Sequence, residues 1–391
     1  MSGDARRRRR LALRIVVYPI CAAALALVAR GAVLVALGRA ATGVSLAPAT
    51  VARPAARAGE ARLLFAGDTA LVDVGLATLT APGGAGLDAA LASAAPLVAA
   101  ADLAVVNHEA PITARDFPLL RLWKEYRYRA PPESAAALAR VGVDVLGLAN
   151  NHAMDAGAAG LDDTRRLAAA AGMVTVGAGD DPADARRGLL ATIGGERVGL
   201  LAYCEDQLLW RAVSDQPARP GHPGVATASD EALAADVARL RAHGAAVVVV
   251  SLHGGETYAP PTERMLAWAR RAIDRGADAV VAHHPHRAQP VALYRGRPIL
   301  LSIGNWAFGT RGHPALDVGL LATLVVERGA LTRVELAALA VQNREVAFRP
   351  RLLDGAEAAA ALAPIADASR ALGAPLRVGG GRAVLDLAGA P

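Results

Sequence analysis

The sequence predicts a layered α/β domain with sheets covered by helices, on three observations. Short apolar runs recur along the chain, amphipathic runs of helical period separate them, and polar residues collect just beyond the apolar runs. Strands are expected at 62–66, 103–106, 143–148, 198–203, 246–252, 279–282 and 299–303. Their apolar character along both faces requires cover on both sides. Helical patterns fall at 88–100, at 162–171, at 231–243 behind a capping Ser229, and at 263–275 after Pro260-Pro261. An Ala-rich helix at 356–372 and a Gly-flanked strand at 383–387 close the chain. No repeat of solenoid period interrupts the pattern.

Charge separates the two ends of the molecule. The 391 residues carry 42 Lys+Arg against 36 Asp+Glu, a formal +6. Residues 1–40 hold Arg6 to Arg10, Arg14, Arg30 and Arg39 against Asp4, a net +7, so the remainder stands at −1. A nearly neutral body argues against a nucleic-acid partner, which needs clustered cations.

The five consecutive arginines precede an apolar run from Ile15 to Leu37, broken by Arg30. Basic residues stay cytoplasmic, so the body is expected outside the cytoplasm behind a single-pass anchor. Gly38-Arg39-Ala40 has the small-x-small spacing of a cleavage site, and a cleaved signal with a secreted body is the alternative. The divisions expected are 1–40 as basic region and anchor or signal, 41–60 as linker, 61–343 as the main domain and 344–391 as its closing segment. Of two cysteines, Cys21 lies in the apolar run. Cys204 alone is left for the body, which excludes an intrachain disulfide there and a Cys-based zinc cluster.

Chemistry concentrates at the strand ends. Asp68 follows the first strand, Asn107 and Glu109 the second, Asn150, Asn151 and His152 the third. His253 follows 246–252, His284 and His286 follow 279–282, and Asn305 follows 299–303. Singly, each has an ordinary reading as a cap, a turn residue or a core histidine. Six such coincidences point to one crevice, because ligands of covered α/β sheets bind at the carboxyl ends of strands. Imidazole, carboxylate and amide donors without thiolate suit one or two divalent ions of the Mn, Fe or Zn type.

The segments Phe65-Ala66-Gly67-Asp68, Val106-Asn107-His108-Glu109-Ala110-Pro111-Ile112-Thr113 and Ala149-Asn150-Asn151-His152-Ala153-Met154-Asp155-Ala156-Gly157 occur in that order. Ser251-Leu252-His253-Gly254-Gly255-Glu256-Thr257-Tyr258, His283-His284-Pro285-His286 and Ser302-Ile303-Gly304-Asn305-Trp306 follow. This order resembles the CapA family of capsule and poly-γ-glutamate synthesis proteins. That resemblance implies a calcineurin-like metallophosphatase-type fold. It further implies Asp68, Glu109, Asn151, His253, His284 and His286 as metal ligands, with Glu109 between two ions and His152 as proton donor. Asn107, Asn150, Asp155, Glu256, Tyr258 and Asn305 are expected around them, in substrate binding or support. Three departures stand out. Asp68-Thr69-Ala70 replaces an Asp-x-His pattern and removes one ligand; Gly254 and Thr257 stand where Trp and an acid are common, with Glu256 as a substitute; and His283 precedes the final His-Pro-His as a spectator.

Two functions follow as expectations. The first is a metal-dependent hydrolase of a phosphoester or a γ-linked amide in capsule or poly-γ-glutamate biosynthesis, acting on an anionic polymer or phosphoester. The alternative is a non-catalytic accessory or scaffold subunit working with membrane polymer-synthase subunits. A purely structural envelope protein is a third class, which bound metal would exclude.

Overall fold

The structure, a computed structural model, describes residues 47–387 apart from 58, 83–84, 119–123, 207–215, 228 and 311–316. The basic region, the apolar run and residues 41–46 of the expected linker lie outside the described residues. Among the described residues, no helix is long and apolar enough to cross a membrane.

The first part of the chain contributes strands β1 (Ala49–Arg53), β2 (Ala61–Ala70), β3 (Leu103–His108), β4 (Val145–Gly147), β5 (Val174–Val176) and β6 (Ala178–Gly179). The middle adds β7 (Leu189–Ile193), β8 (Glu196–Cys204), β9 (Gly224–Val225), β10 (Val247–His253), β11 (Ala279–His283), β12 (Val291–Tyr294) and β13 (Arg297–Leu300). The last part supplies β14 (Asn305–Phe308), β15 (Val318–Glu327), β16 (Ala330–Ala340), β17 (Arg351–Leu352), β18 (Arg377–Gly379) and β19 (Arg382–Asp386).

Apart from β6 and β9, which pair with each other, these strands build two large mixed sheets. One runs β18-β19-β16-β15-β2-β3-β4-β5, with β14 paired to β2 and β17 to β16; the other runs β1-β7-β8-β10-β11-β13-β12. Within them β2, β3, β4 and β5 are parallel, as are β8, β10 and β11. All of their carboxyl ends therefore carry loops of the same sense.

Alternation along the second sheet shows where the two sheets meet. Val247 and Val249 of β10 and Val281 of β11 join the apolar cluster that also holds Leu63, Phe65 and Val105 of the first sheet. Val248, Val250, Leu252, Val280 and Ala282 point the other way, against Leu233, Val237, Met265 and Ala269. The second set belongs to helices Asp230–Ala242 and Glu263–Asp274, which cover the outer face. Each such Val or Leu is worth about 1.5–3 kcal/mol when fully buried, so a one-residue slip would sacrifice both faces at once. Ser229 caps its helix as read, its Oγ accepting from Ala232 N–H at 3.2 Å, and Thr262 Oγ1 does the same for the second helix, accepting from Met265 N–H at 3.2 Å.

Four differences from expectation have local causes. Residues 49–53, read as linker from composition, form edge strand β1, parallel to β7. The helix expected over 88–100 is two 3₁₀ turns and a short helix, Ala95–Ala99, with Pro96 at its start. A proline lacks the N–H and clashes with the preceding turn, so the helix begins there. Strand 299–303 is split into the end of β13 and a bend at Gly304, φ 68°, that redirects the chain into β14 of the other sheet. The long β15–β16 hairpin lacked a familiar turn signal. Its two-residue turn is Arg328-Gly329, with φ of 51° and 75°.

Gly67 marks a close approach near the site. A β-carbon there would lie 2.1 Å from the Gly304 carbonyl oxygen, and the adjacent Asp68 N–H donates to that same oxygen at 2.8 Å. Only glycine allows β2 and the start of β14 to approach this closely.

Candidate metal centre

Strand alternation aims the donors into the seam between the sheets. His253 follows Leu252, and His283 follows Ala282, on the opposite face from those two outward residues. From the facing sheet come Asp68 at the end of β2, Asn107 in β3, Glu109 just after it, and Asn151 beyond β4. All are buried.

Two groups of donors have ligand atoms within 4.8 Å of one another: Glu109 with His253 and His284, and Glu109 with Asp68 and His286. Glu109 belongs to both. Asn151 joins the first group, its Oδ1 lying 2.9 Å from His253 Nε2. The six ligands expected from the sequence are thus brought together. In the second group, Asp68 Oδ2 is 3.2 Å and Glu109 Oε2 3.9 Å from His286 Nδ1.

The donor set fits divalent ions on a structural criterion. Glu109 is fully buried, and neither carboxylate oxygen has a hydrogen-bond partner among the described residues. His253 Nε2 is 3.3 Å from Oε1, within ion-pair reach but without hydrogen-bond geometry. A fully buried carboxylate is rarely left so, because its desolvation is unfavourable unless charge or hydrogen bonds compensate it. Two bound cations would compensate it directly.

Electrostatics reflect this crowding. Burial pushes the Glu109 carboxyl up to about 7 against the pull of His286. For His286 burial opposes the charge, yet Glu109 and Asp68 raise it to about 9. Burial also opposes ionisation of Asp68, but His283 and His286 hold it well below the usual range. Burial lowers His253 to about 3 and His284 well below its ordinary value, which keeps both imidazoles neutral and available as ligands.

A pH prediction follows for protein treated with chelator. Because folding raises the His286 pKa, the stability it confers is complete below its ordinary value near 6.5 and is lost as pH rises through about 9. His253 and His284, shifted down, are neutral when folded, and from about pH 8 upward they are neutral unfolded as well, while Glu109 is ionised in both states. From pH 8 to 9.5 the melting temperature in EDTA should therefore fall, and the fall should be smaller in His286→Asn. A flat profile in the parent would contradict this.

Backbone geometry holds the histidines. His284 and His286 adopt positive φ of 99° and 59°, rare for non-glycine residues, and the His284 N–H donates to Asp68 Oδ2 at 3.1 Å. That bond and the bend reverse the direction in which β11 would have continued, turning His284 back into the seam.

Beside the ligands lies the expected proton donor. His152 Nδ1–H donates to Asp155 Oδ2 at 2.7 Å, which leaves Nε2 as the reactive nitrogen. Its ring lies 4.2 Å from that of Tyr128, whose backbone N–H donates to Asp155 Oδ2 at 2.8 Å. Lys124 Nζ donates to Asp155 Oδ1 and to the Asn151 carbonyl, both at 2.6 Å, and lies 3.1 Å from His152 Nδ1. Burial, then Lys124, lowers the His152 pKa.

The supporting residues divide. Asn107 Nδ2 donates to Asp68 Oδ1 at 2.8 Å, and Asn150 Nδ2 donates to the His108 carbonyl at 2.9 Å while its Oδ1 accepts from His152 N–H at 3.1 Å. Asn305 Oδ1 meets His286 Nδ1 at 3.0 Å, and the Tyr258 ring is 5.9 Å from that of His286. Glu256 is exposed and belongs to neither donor group, so its expected role as a substitute acid finds no support there. Thr257 instead meets His284 Nε2, at 3.3 Å.

Sequence reading missed two residues. His283, taken as a spectator, places Nδ1 3.3 Å from Asp68 Oδ1; its position one residue beyond outward-facing Ala282 was the available signal. Lys124 was overlooked although it is the single lysine of a chain whose other 41 long cations are arginines. A compact ammonium with three donors fits among Asp155, Asn151 and His152, where a planar guanidinium fork would not.

Comparison with known proteins adds family context. The pattern of the bacterial capsule synthesis protein PGA_cap matches residues 62–310. A probable polyglutamine synthesis accessory protein of Mycobacterium tuberculosis is 36% identical over 217 residues, 53% of this chain and 55% of the relative. The PGA biosynthesis protein CapA of Bacillus subtilis is 32% identical over 227 residues, 57% of each. The chain thus spans little more than half the length of these relatives. Among solved structures, the calcineurin-like phosphoesterase YfkN of Bacillus subtilis aligns over 85% of this chain and 92% of its own, at 15% identity and a TM-score of 0.43.

Proposed function

Since the chain belongs to the bacterial capsule synthesis protein family PGA_cap, we propose that it acts outside the cytoplasm in synthesis or export of a capsule-type polymer such as poly-γ-glutamate. In this reading it is a metal-dependent hydrolase with a metallophosphatase-like centre, cleaving a phosphoester or a γ-linked amide. One observation carries the catalytic part: two buried donor groups share Glu109 and lie beside a histidine held by a carboxylate. The extracytoplasmic location is supported by the arginine run and apolar stretch at the N-terminus.

A divalent ion, when bound, supplies Lewis acidity at a phosphoryl or carbonyl oxygen and activates water. Asp68, Glu109 and His286 would hold one ion; Glu109, Asn151, His253 and His284 would hold the other. The protein's remaining task is proton transfer. Asp155 accepts from His152 Nδ1–H, so Nε2 can deliver a proton to the departing oxygen or nitrogen. A lowered pKa makes the imidazolium, once formed, a stronger acid. Lys124 fixes both Asp155 and the Asn151 carbonyl, and so couples the acid's position to that of the ligand.

The second reading, a non-catalytic accessory of a polymer-synthesis complex, is favoured by the accessory designation of the Mycobacterium tuberculosis relative. Elemental analysis of the purified full chain, combined with assays on a generic phosphodiester and on poly-γ-glutamate, tests the proposal. Bound divalent metal with turnover of either substrate is expected. Stoichiometric metal without turnover favours the accessory role, and absence of metal ends the hydrolase reading.

A further inference from the structure

The group formed by Asp68, Glu109 and His286 offers three ligand atoms from acids and histidines, one fewer than the four that a closed divalent site commonly uses. We infer that Asn305 is a fourth ligand of that ion, through its amide oxygen Oδ1. This rests on the metal-dependent reading above and assigns a residue to one of its two positions.

Topology puts Asn305 in place. It opens β14, which runs parallel to β2 with Asn305 in register beside Asp68. The close approach at Gly67 and the bond from Asp68 N–H to the Gly304 carbonyl lock that register. Asn305 is 4% exposed. Its Oδ1 lies 3.0 Å from His286 Nδ1, and Asp68 Oδ2 lies 3.2 Å from the same nitrogen. Around one ion with bonds near 2.1 Å, neighbouring donors sit about 3.0 Å apart at right angles and about 3.4 Å apart at tetrahedral angles. Both separations fit the edges of one coordination polyhedron.

Neighbouring residues fit the role less well. His283 faces the other oxygen of Asp68, Oδ1, at 3.3 Å. Ala70, two residues beyond Asp68, has no donor. An amide oxygen is a neutral, hard ligand, which with two carboxylates suits an oxygen-preferring ion such as Mn²⁺.

The test uses the full chain, stripped with EDTA and titrated with Mn²⁺. Bound ions are counted by elemental analysis, and exchangeable water on the ion is measured by electron spin-echo modulation in D₂O. Asn305→Ala should weaken one of the ions by more than the roughly 10- to 100-fold expected for loss of a residue that only orients a ligand. It should also add one water to that ion, while Asn305→Asp, which keeps an oxygen, should retain the affinity and the water count of the parent. Unchanged affinity in Asn305→Ala, or weakened binding with an unchanged water count, would overturn the assignment and leave Asn305 as a hydrogen-bond acceptor for His286. A parent chain that binds no ion would overturn the metal-dependent reading itself, so the two failures are distinguishable.

Discussion

Replacing Glu109 by glutamine should bring bound divalent metal to background at both positions, because this one carboxylate belongs to both donor groups. Removing an outer residue around a metal weakens affinity by about 10- to 100-fold; loss of a shared charged ligand should exceed that for each ion. Stability should move the other way in chelator. With no hydrogen bond to either oxygen, the parent buries an ionised carboxylate above its pKa of about 7. A neutral amide of the same shape removes that penalty. At pH 8 in EDTA, Glu109→Gln should therefore melt above the parent, whereas with Mn²⁺ or Zn²⁺ present the order should reverse. Thermal unfolding in the two buffers, with metal content measured alongside, checks both halves. A variant destabilised under both conditions would mean that Glu109 serves packing and not ion binding.

The second large effect separates proton transfer from metal binding. His152→Gln keeps the size of the side chain and leaves every proposed ligand intact, so metal content should match the parent while turnover falls by about 10²- to 10⁴-fold, the usual contribution of a general acid. His284→Ala should lose metal and turnover together, since His284 belongs to the first donor group. The corresponding observation in cells is capsule output in a deletion strain complemented with each variant. If His152→Gln restores capsule fully, the hydrolase reading fails and the accessory role is the better account. Asp155 and Lys124 give the phenotype a structural control. Asp155 holds His152 at 2.7 Å, and Lys124, 3.1 Å from that ring, binds Asp155 at 2.6 Å, so Asp155→Asn should lower turnover without lowering metal content.

Much of this could be read locally. Apolar runs bounded by Asp68, Glu109, Asn151, His253 and His284 announce strands whose carboxyl ends bear chemistry, because side-chain period and burial act over a few residues. The caps Ser229 and Thr262 are equally local, each satisfying an N–H three residues ahead. What periodicity could not supply was the partner of each strand. β2 to β5 and β8, β10 and β11 have similar apolar runs, yet they belong to two sheets that face each other, and the site exists only in the seam between them.

The same distinction separates the residue types of the site from its wiring. The amino-acid sequence by itself determined that imidazoles, carboxylates and amides would collect at the ends of these strands. Only the tertiary structure decided that Glu109 is shared by two donor groups, that Asn305 lies in register with Asp68, and that His283 faces Asp68. It likewise brought Lys124, more than twenty residues before His152 in the chain, into contact with it. The reason is physical: periodicity is set by neighbours along the chain, whereas these contacts come from pairing and packing between segments from 28 to more than 200 residues apart.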